Sequence, residues 1–216
     1  MGGFQLGLIW SNGPALLNAL CVTVYVSLVS YALAFMVGVV VGVLRWRPGP
    51  FEWLLSLYVE FFRGTPLLIQ LFFIYYGLPS LGISLPRLGA AFVGLGLNGG
   101  AYISEIVRGG LMSVSSGQEE ACKVLGLGTL QALRFVILPQ AFRVSIPSLV
   151  NSFSSLLKDS SLVSVLAITE IARMGQLIYT RTFRPFEVYL SVAIIYFVLT
   201  RLVSWMAKSI EKRLAV

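Results

Sequence analysis

Long apolar stretches separated by polar ones set the frame of this chain. The first runs from about Ala15 to Leu44 without a charge in its thirty positions. At 1.5 Å per residue a helix of that length reaches about 45 Å, more than the ~30 Å hydrocarbon core of a bilayer. Arg45, Trp46, Arg47 and Pro48 mark its end. The second stretch covers about Trp53 to Leu78 and contains Glu60, Arg63 and Pro66. The third, about Leu88 to Met112, is glycine-rich and carries Asn98, Glu105 and Arg108. A polar segment from Ser113 to Arg143 follows, and Val144 to Thr169 is apolar again but broken by Lys158 and Asp159. The polar connection Glu170 to Glu187 leads to a last apolar stretch, Val188 to Ala207, closed by Lys208, Lys212 and Arg213.

The period of these stretches decides what they form. In lipid every backbone N–H and C=O must find a partner within the protein, which leaves helices or a closed barrel. A barrel strand needs roughly ten residues of strict alternation. Here the runs are continuous, as in Ala32 to Leu44. The pattern therefore predicts an all-α integral membrane bundle of about five transmembrane helices, with residues 1–216 as a single membrane domain and no internal repeat. Composition agrees: 57% of residues are hydrophobic, 12% are charged and mean hydropathy is +0.86. A soluble domain carries about a quarter charged residues.

Charge and special residues narrow the function. The net charge of +7 is scattered and makes no basic stripe, so it argues for basic loops on the inner side of a membrane and against nucleic acid. Five spans put the termini on opposite sides. With the N-terminus outside, Arg45, Arg47, Arg108, Lys123, Arg134, Arg143, Lys208, Lys212 and Arg213 lie inside, and Arg87, Arg173, Arg181 and Arg184 lie outside, nine against four. That is the expected orientation, with the C-terminus in the cytoplasm. Met1 to Pro14 lacks the basic start of a secretory signal, so no cleavage is expected. Cys21 and Cys122 are too isolated for a disulfide framework or a zinc site. Without histidine there is no Ser–His or Cys–His pair and no histidine-based metal centre, and no metal site is expected. No GxxxxGK[ST] loop occurs, so an energy source must come from a partner or an ion gradient.

Ionisable groups within a span are costly, about 2.5–3.5 kcal/mol each on insertion scales, and so are candidates for function. Glu60 and Arg63 lie three apart on one helical face. They either neutralise each other or offer an ammonium and a carboxylate their opposite charges. Pro66 just beyond interrupts the helix, and polar substrates are often received at such breaks. Ser148, Ser152, Ser155 and Asp159, spaced by four, three and four, form a polar stripe. The stripe either packs helices or lines a cavity with Asn98 and Tyr102, an i, i+4 pair on the third span. Glu105, Arg108 and Lys158 are assigned to ion pairs or gating.

The polar segment from 113 to 143 holds the most specific pattern. It reads Gln118-Glu119-Glu120-Ala121-Cys122-Lys123-Val124-Leu125-Gly126, then nine residues, then Val136-Ile137-Leu138-Pro139. Acidic residues early in a short helix suit its dipole, Gly126 permits a left-handed stop, and Pro139 is expected to end a second helix or turn the chain back. The result is a helix–turn–helix knuckle outside the bilayer, which either leaves Ala121, Val124 and Leu125 able to face a partner or is merely a solvated loop. This spacing resembles the EAA loop of binding-protein-dependent ABC importer permeases, with Cys122 for the second alanine and Val136 for isoleucine. Glu60-Phe61-Phe62-Arg63-Gly64-Thr65-Pro66 and Ala101-Tyr102-Ile103-Ser104-Glu105-Ile106-Val107-Arg108-Gly109-Gly110 look like the second- and third-span signatures of the polar amino-acid group of these permeases, the His/Gln/Glu/Arg transport group. Asn151 through Lys158-Asp159-Ser160-Ser161-Leu162 is similar to the fourth-span pattern, with Ser160 where threonine is commoner.

The resemblance implies a type I ABC importer permease fold in a bacterial plasma membrane, with no catalysis in this chain. It implies two ATP-binding subunits that hold ATP and Mg2+, a second permease chain, and an extracellular or periplasmic amino-acid-binding protein. Glu119, Glu120, Ala121, Gly126, Leu138 and Pro139 would then couple to the ATPase. Glu60, Arg63, Asn98, Tyr102, Ser152, Ser155 and Asp159 are the expected substrate contacts, with a lean towards a cationic amino acid from Glu60 and Asp159. Two other readings stand beside it. One is a secondary transporter driven by protons or sodium, and the other a membrane enzyme with Asp159 and Glu60 as its acids.

Overall fold

Helices in lipid gain nothing from burying apolar surface against each other, so they associate where small residues let backbones come close. This chain does so repeatedly. The computed structural model describes residues 6–47 and 49–214. Pro48 lies outside the described residues, as do the side chains of Lys208, Lys212 and Arg213. A short helix α1 (Leu6–Ser11) leads into the long α2 (Gly13–Leu44), and α5 (Arg87–Met112) lies along it. A Cβ on Gly38 would sit 2.5 Å from Ile103 Cγ2 on α5, and one on Gly96 would sit 2.5 Å from Leu33 Cδ2 on α2. Neither position has room for a side chain. α8 (Leu138–Asp159) presses on the other side of α5, where a Cβ on Gly110 would strike Ser145 Oγ and come within 2.8 Å of the Ala141 carbonyl. Tyr31 of α2 donates its hydroxyl to the Leu149 carbonyl of α8 at 2.6 Å, which closes the three-helix group.

Among the described residues, four helical segments are long and apolar enough to cross a membrane: Gly13–Leu44, Arg87–Met112, Thr129–Leu166 and Pro185–Met206. The second apolar stretch of the sequence supplies the fifth as a broken span. There, α3 (Glu52–Gly64) and α4 (Leu67–Phe72) belong to two arms bent by 107° at Thr65–Pro66. Counted as one span, the bent pair brings the total to the expected five, and it is not one straight helix.

Two further boundaries differ from the sequence reading. The fourth span starts well before Val144: α7 (Thr129–Ala132) passes through a π turn (Leu133–Ile137) straight into α8. Pro139 does not end a helix. The Leu138 N–H reaches back five residues to the Leu133 carbonyl, and this wider turn makes room for a proline that cannot donate and would crowd a normal one. The polar connection 170–187 is largely helical. It holds α9 (Ile171–Thr182), whose cap is the fully buried Glu170. Its carboxylate accepts from the backbone of Ala172 at 2.8 Å and Arg173 at 2.7 Å, and from the Tyr196 hydroxyl of α10 (Pro185–Leu214) at 2.8 Å. Burial pushes the Glu170 carboxyl above the usual carboxylate range, against the pull of those three donors. The Ile171 N–H bonds to Thr23 Oγ1, so α2, α9 and α10 meet in one buried polar knot.

If the α5–α8 contact rests on Gly110, then Gly110→Val should lower the detergent-solubilised protein's stability by at least about 1–3 kcal/mol, the usual cost of overpacking. Gly109, with nothing within 4 Å of its hypothetical Cβ, is the control. A thermal-unfolding series should show Gly109→Ala near wild type and Gly110→Val well below it. Equal melting points would contradict the packing.

Candidate functional site

The site grows from the break in the second span. Thr65 is extended (φ −117°, ψ 148°), and Pro66 caps α4 with the same kind of backbone (φ −64°, ψ 133°). Proline cannot extend the helix before it, so α3 ends with free carbonyls in a place without bulk water. Gln70 answers them. Its buried amide nitrogen lies 2.9 Å from the Phe62 carbonyl, 3.1 Å from the Thr65 carbonyl and 2.8 Å from Thr65 Oγ1. Asn98 of α5 donates to the same Phe62 carbonyl and to Gln70 Oε1, both at 3.0 Å. Two amides thus stitch the break to α5. Gln70 was missed in the sequence reading; its signal was a single amide inside the apolar run Leu67 to Ile74, four residues beyond Pro66.

A cavity of about 630 Å³ opens beside this joint, between the break, α5 and α8. Thr65, Pro66 and Leu67 form one wall, and Asn98, Gly99 and Tyr102 another. The third is the stripe of α8: Ser148, Asn151, Ser152, Ser155, Lys158 and Asp159. Five expected contacts, Asn98, Tyr102, Ser152, Ser155 and Asp159, therefore share one space. Part of Asn98 is already committed to the break. Lys158, expected only as a gating or ion-pair residue, faces the same space as its neighbour Asp159.

Glu60 and Arg63 are not brought in. Glu60 is exposed on α3 and has no ion-pair partner among the described residues. Arg63 does not pair with it. The Arg63 guanidinium turns to α5, 4.0 Å from Glu105 Oε2 and 5.4 Å from the Tyr102 ring centroid. The reason is positional: α3 stops one residue after Arg63, so its side chain leaves the helix end towards α5 instead of lying along its own helix. Glu105 also binds Arg45, the cap residue of α2, and Arg108 at 3.0 Å.

The knuckle is a second functional feature. α6 (Ser116–Val124) is followed by Gly126 in the left-handed region (φ 73°), and the Leu127 N–H closes back on the Cys122 carbonyl at 2.9 Å. Cys122 points inward and is 3% exposed, whereas Val124 and Leu125 are 88% and 76% exposed, with Ala121 also at the surface. Glu119 pairs with Arg47 at 2.7 Å, and Glu120 faces outward. Leu138 packs against the cluster that includes Cys122 and Ile137, and Pro139 stays exposed. A buried face on the bundle and an apolar face left uncovered suit a segment that docks on something else.

Gln70→Ala removes the main donor for the carbonyls at the break. Leaving such groups unpaired costs about 1–3 kcal/mol. Thermal unfolding should therefore drop clearly for Gln70→Ala, while Gln140→Ala, whose amide bonds only an exposed carbonyl within its own helix, should stay near wild type. A Gln70→Ala protein as stable as wild type would show that the break does not need this amide.

Comparison with known proteins agrees with this geometry. Residues 34–216 match the model of the binding-protein-dependent transport system inner membrane component. The chain is 40% identical over 206 residues to the probable amino-acid permease protein YxeN of Bacillus subtilis, covering 94% of this chain and 92% of that one. It is 33% identical over 219 residues to the glutamine transport system permease protein GlnP of Escherichia coli, covering 99% of each. It is also similar to a solved amino acid ABC transporter crystallised with histidines, with a TM-score of 0.90, 34% identity and 99% of both chains covered. The methionine ABC transporter MetNI in an inward-facing form shares the fold, with a TM-score of 0.76. Nothing in these likenesses supports an ion-coupled carrier. The chain belongs to the family of inner membrane components of binding-protein-dependent transport systems, among the amino-acid ABC permeases.

Proposed function

We propose that this permease passes a polar amino acid through the cavity beside the broken span, with a preference for a cationic side chain, and that a separate ATPase drives it. One observation carries the substrate reading: Asp159 and Lys158 face one space otherwise lined by hydroxyl, amide and apolar groups. A free amino acid bears an ammonium and a carboxylate. A carboxylate and an ammonium on the wall answer both, and hydroxyls give orientation without trapping the solute. Similar permeases named for glutamine, arginine and cystine fit a polar substrate class. Glu60, outside the cavity, no longer contributes to the cationic lean, which rests on Asp159.

The drive reading rests on α6. Its exposed Ala121, Val124 and Leu125 offer a docking face for an ATP-binding subunit, which would hold the ATP and Mg2+. Glu120, Gly126, Leu138 and Pro139 keep the expected coupling role through the match to the EAA pattern. The full assembly would comprise two such subunits, a second permease chain and an external amino-acid-binding protein. In a bacterial plasma membrane, the basic end of the bundle with Arg45, Arg47 and α6 would face the cytoplasm, and the N-terminus the outside.

Two measurements check this. In proteoliposomes with the complete complex, Asp159→Asn should cut arginine uptake about ten-fold or more, equivalent to about 1.4 kcal/mol, and glutamine uptake less. Glu60→Gln should leave both near wild type. Equal loss for both substrates, or none, would remove Asp159 as the selectivity group. Gly126→Trp, which puts a side chain on a left-handed turn at the docking face, should leave ATP hydrolysis but abolish uptake. Wild-type uptake by that complex would overturn the coupling role of the loop.

A further inference from the structure

A line of charged side chains runs from the knuckle to the cavity wall. Glu119 of α6 holds Arg47 at 2.7 Å. Two residues earlier, Arg45 hydrogen-bonds Ser56 of α3 at 3.2 Å and Glu105 of α5. Glu105 in turn contacts Arg63 at the end of α3 and Arg108 on α5. Arg63 lies over the ring of Tyr102, which lines the cavity. One carboxylate therefore faces guanidiniums from α2, α3 and α5.

The arms of this hub are unequal. Arg45 is 11% exposed and makes the closest contact, Arg108 sits at 3.0 Å, and Arg63 is at 4.0 Å with 43% of its side chain exposed. A carboxylate that already satisfies two cations holds a third weakly, and solvent competes most at the exposed arm. Arg63 is also the only one of the three on an element that ends in a joint: α3 stops at Gly64 and the chain turns by 107° at Thr65–Pro66. By contrast, α2 and α5 pack closely along their length, so that a Cβ on Gly38, Gly42 or Gly96 would clash with the facing helix. Displacement entering at α6 would pass through Arg47 to the α2 end, and the longest of the charged contacts on that route is Arg63–Glu105; the Asn98–Phe62 and Tyr58–Leu97 hydrogen bonds also join α3 to α5 beside it.

We propose that Glu105 is a positioning residue for transport, a latch that holds the end of α3 against α5 through Arg63 and lets it swing about Thr65–Pro66 when α6 moves. The inference rests on the ATP-driven reading above. Arg63 touches the cavity wall through Tyr102 rather than the solute, so its role is to set when the wall opens. Loss of the latch then separates hydrolysis from movement without removing either docking or binding.

The test uses the complete complex in proteoliposomes, with ATP hydrolysed per amino acid taken up as the readout. Arg63→Gln should raise that ratio at least about five-fold, the lower end of usual coupling effects, while hydrolysis stimulated by the loaded binding protein persists. Arg63→Lys keeps the charge and should stay within about two-fold of wild type. Glu105→Gln should raise the ratio as well, and adding Arg63→Gln to it should raise it no further, since Glu105→Gln already breaks the one contact that Arg63→Gln removes, along with those to Arg45 and Arg108. An unchanged ratio in Arg63→Gln, a lysine variant as uncoupled as the glutamine one, or additive effects in the double variant would each overturn the latch. The Arg63 pair alone decides the matter if Glu105→Gln fails to assemble. If the wild-type complex itself shows no ATP-driven uptake, the fault lies with the proposed drive and not with the latch.

Discussion

A helix that breaks inside a membrane exposes carbonyls to a solvent that cannot bond them, and the rest of this structure follows from how that debt is met. The break at Thr65–Pro66 survives because Gln70 and Asn98 donate to the Phe62 carbonyl, with Gln70 also reaching Thr65. Those amides fix α5 against the joint. The cavity is the space left between α5, α8 and the joint with the start of α4. Polar groups on α8 would be a cost against lipid. Facing this space, the serine stripe, Lys158 and Asp159 are tolerated and available.

The distribution of stiffness is as informative as the cavity. Where α2, α5 and α8 touch, glycines let the helices approach so closely that an added Cβ would clash at Gly38, Gly96 and Gly110. The helical run is interrupted at the joint in the second span and at the knuckle, where Gly126 adopts the left-handed turn that closes α6. Packed parts of this kind move as bodies, and large changes gather at a few residues between them. Charged contacts lie between the knuckle and the joint, which gives the proposed latch its route.

Much of this was legible in the residues, and what was not has identifiable causes. Continuous apolar runs such as Ala15–Leu44 can only be spans, and Ser148, Ser152, Ser155 and Asp159 share a face because the helical period places them there. Gly126 and the exposed Val124 and Leu125 were readable from spacing. The period also suggested Glu60 with Arg63, but it knows nothing of neighbouring helices, and Glu105 on α5 took Arg63 instead. The start of the fourth span was hidden because Gln131, Arg134, Gln140 and Arg143 interrupt the apolar positions of 129–143, of which Ala132, Ile137 and Ala141 are buried while Leu130, Phe135 and Phe142 are exposed. The helix within the polar connection, α9, was not assigned, because its buried partners on α2 and α10 lie far away in sequence. Gln70 looked incidental until the carbonyls it serves had a position.

The account's central claim is that this chain shapes a path and moves, while the free energy for uphill transport is released elsewhere. The most direct test is amino-acid accumulation in liposomes under imposed proton and sodium gradients, with the purified permease alone and then with its ATP-binding subunits, binding protein and internal or external ATP on the proper side. The account predicts no accumulation from the permease alone under any gradient and ATP-dependent accumulation from the assembly. Uphill uptake by the permease alone would contradict it.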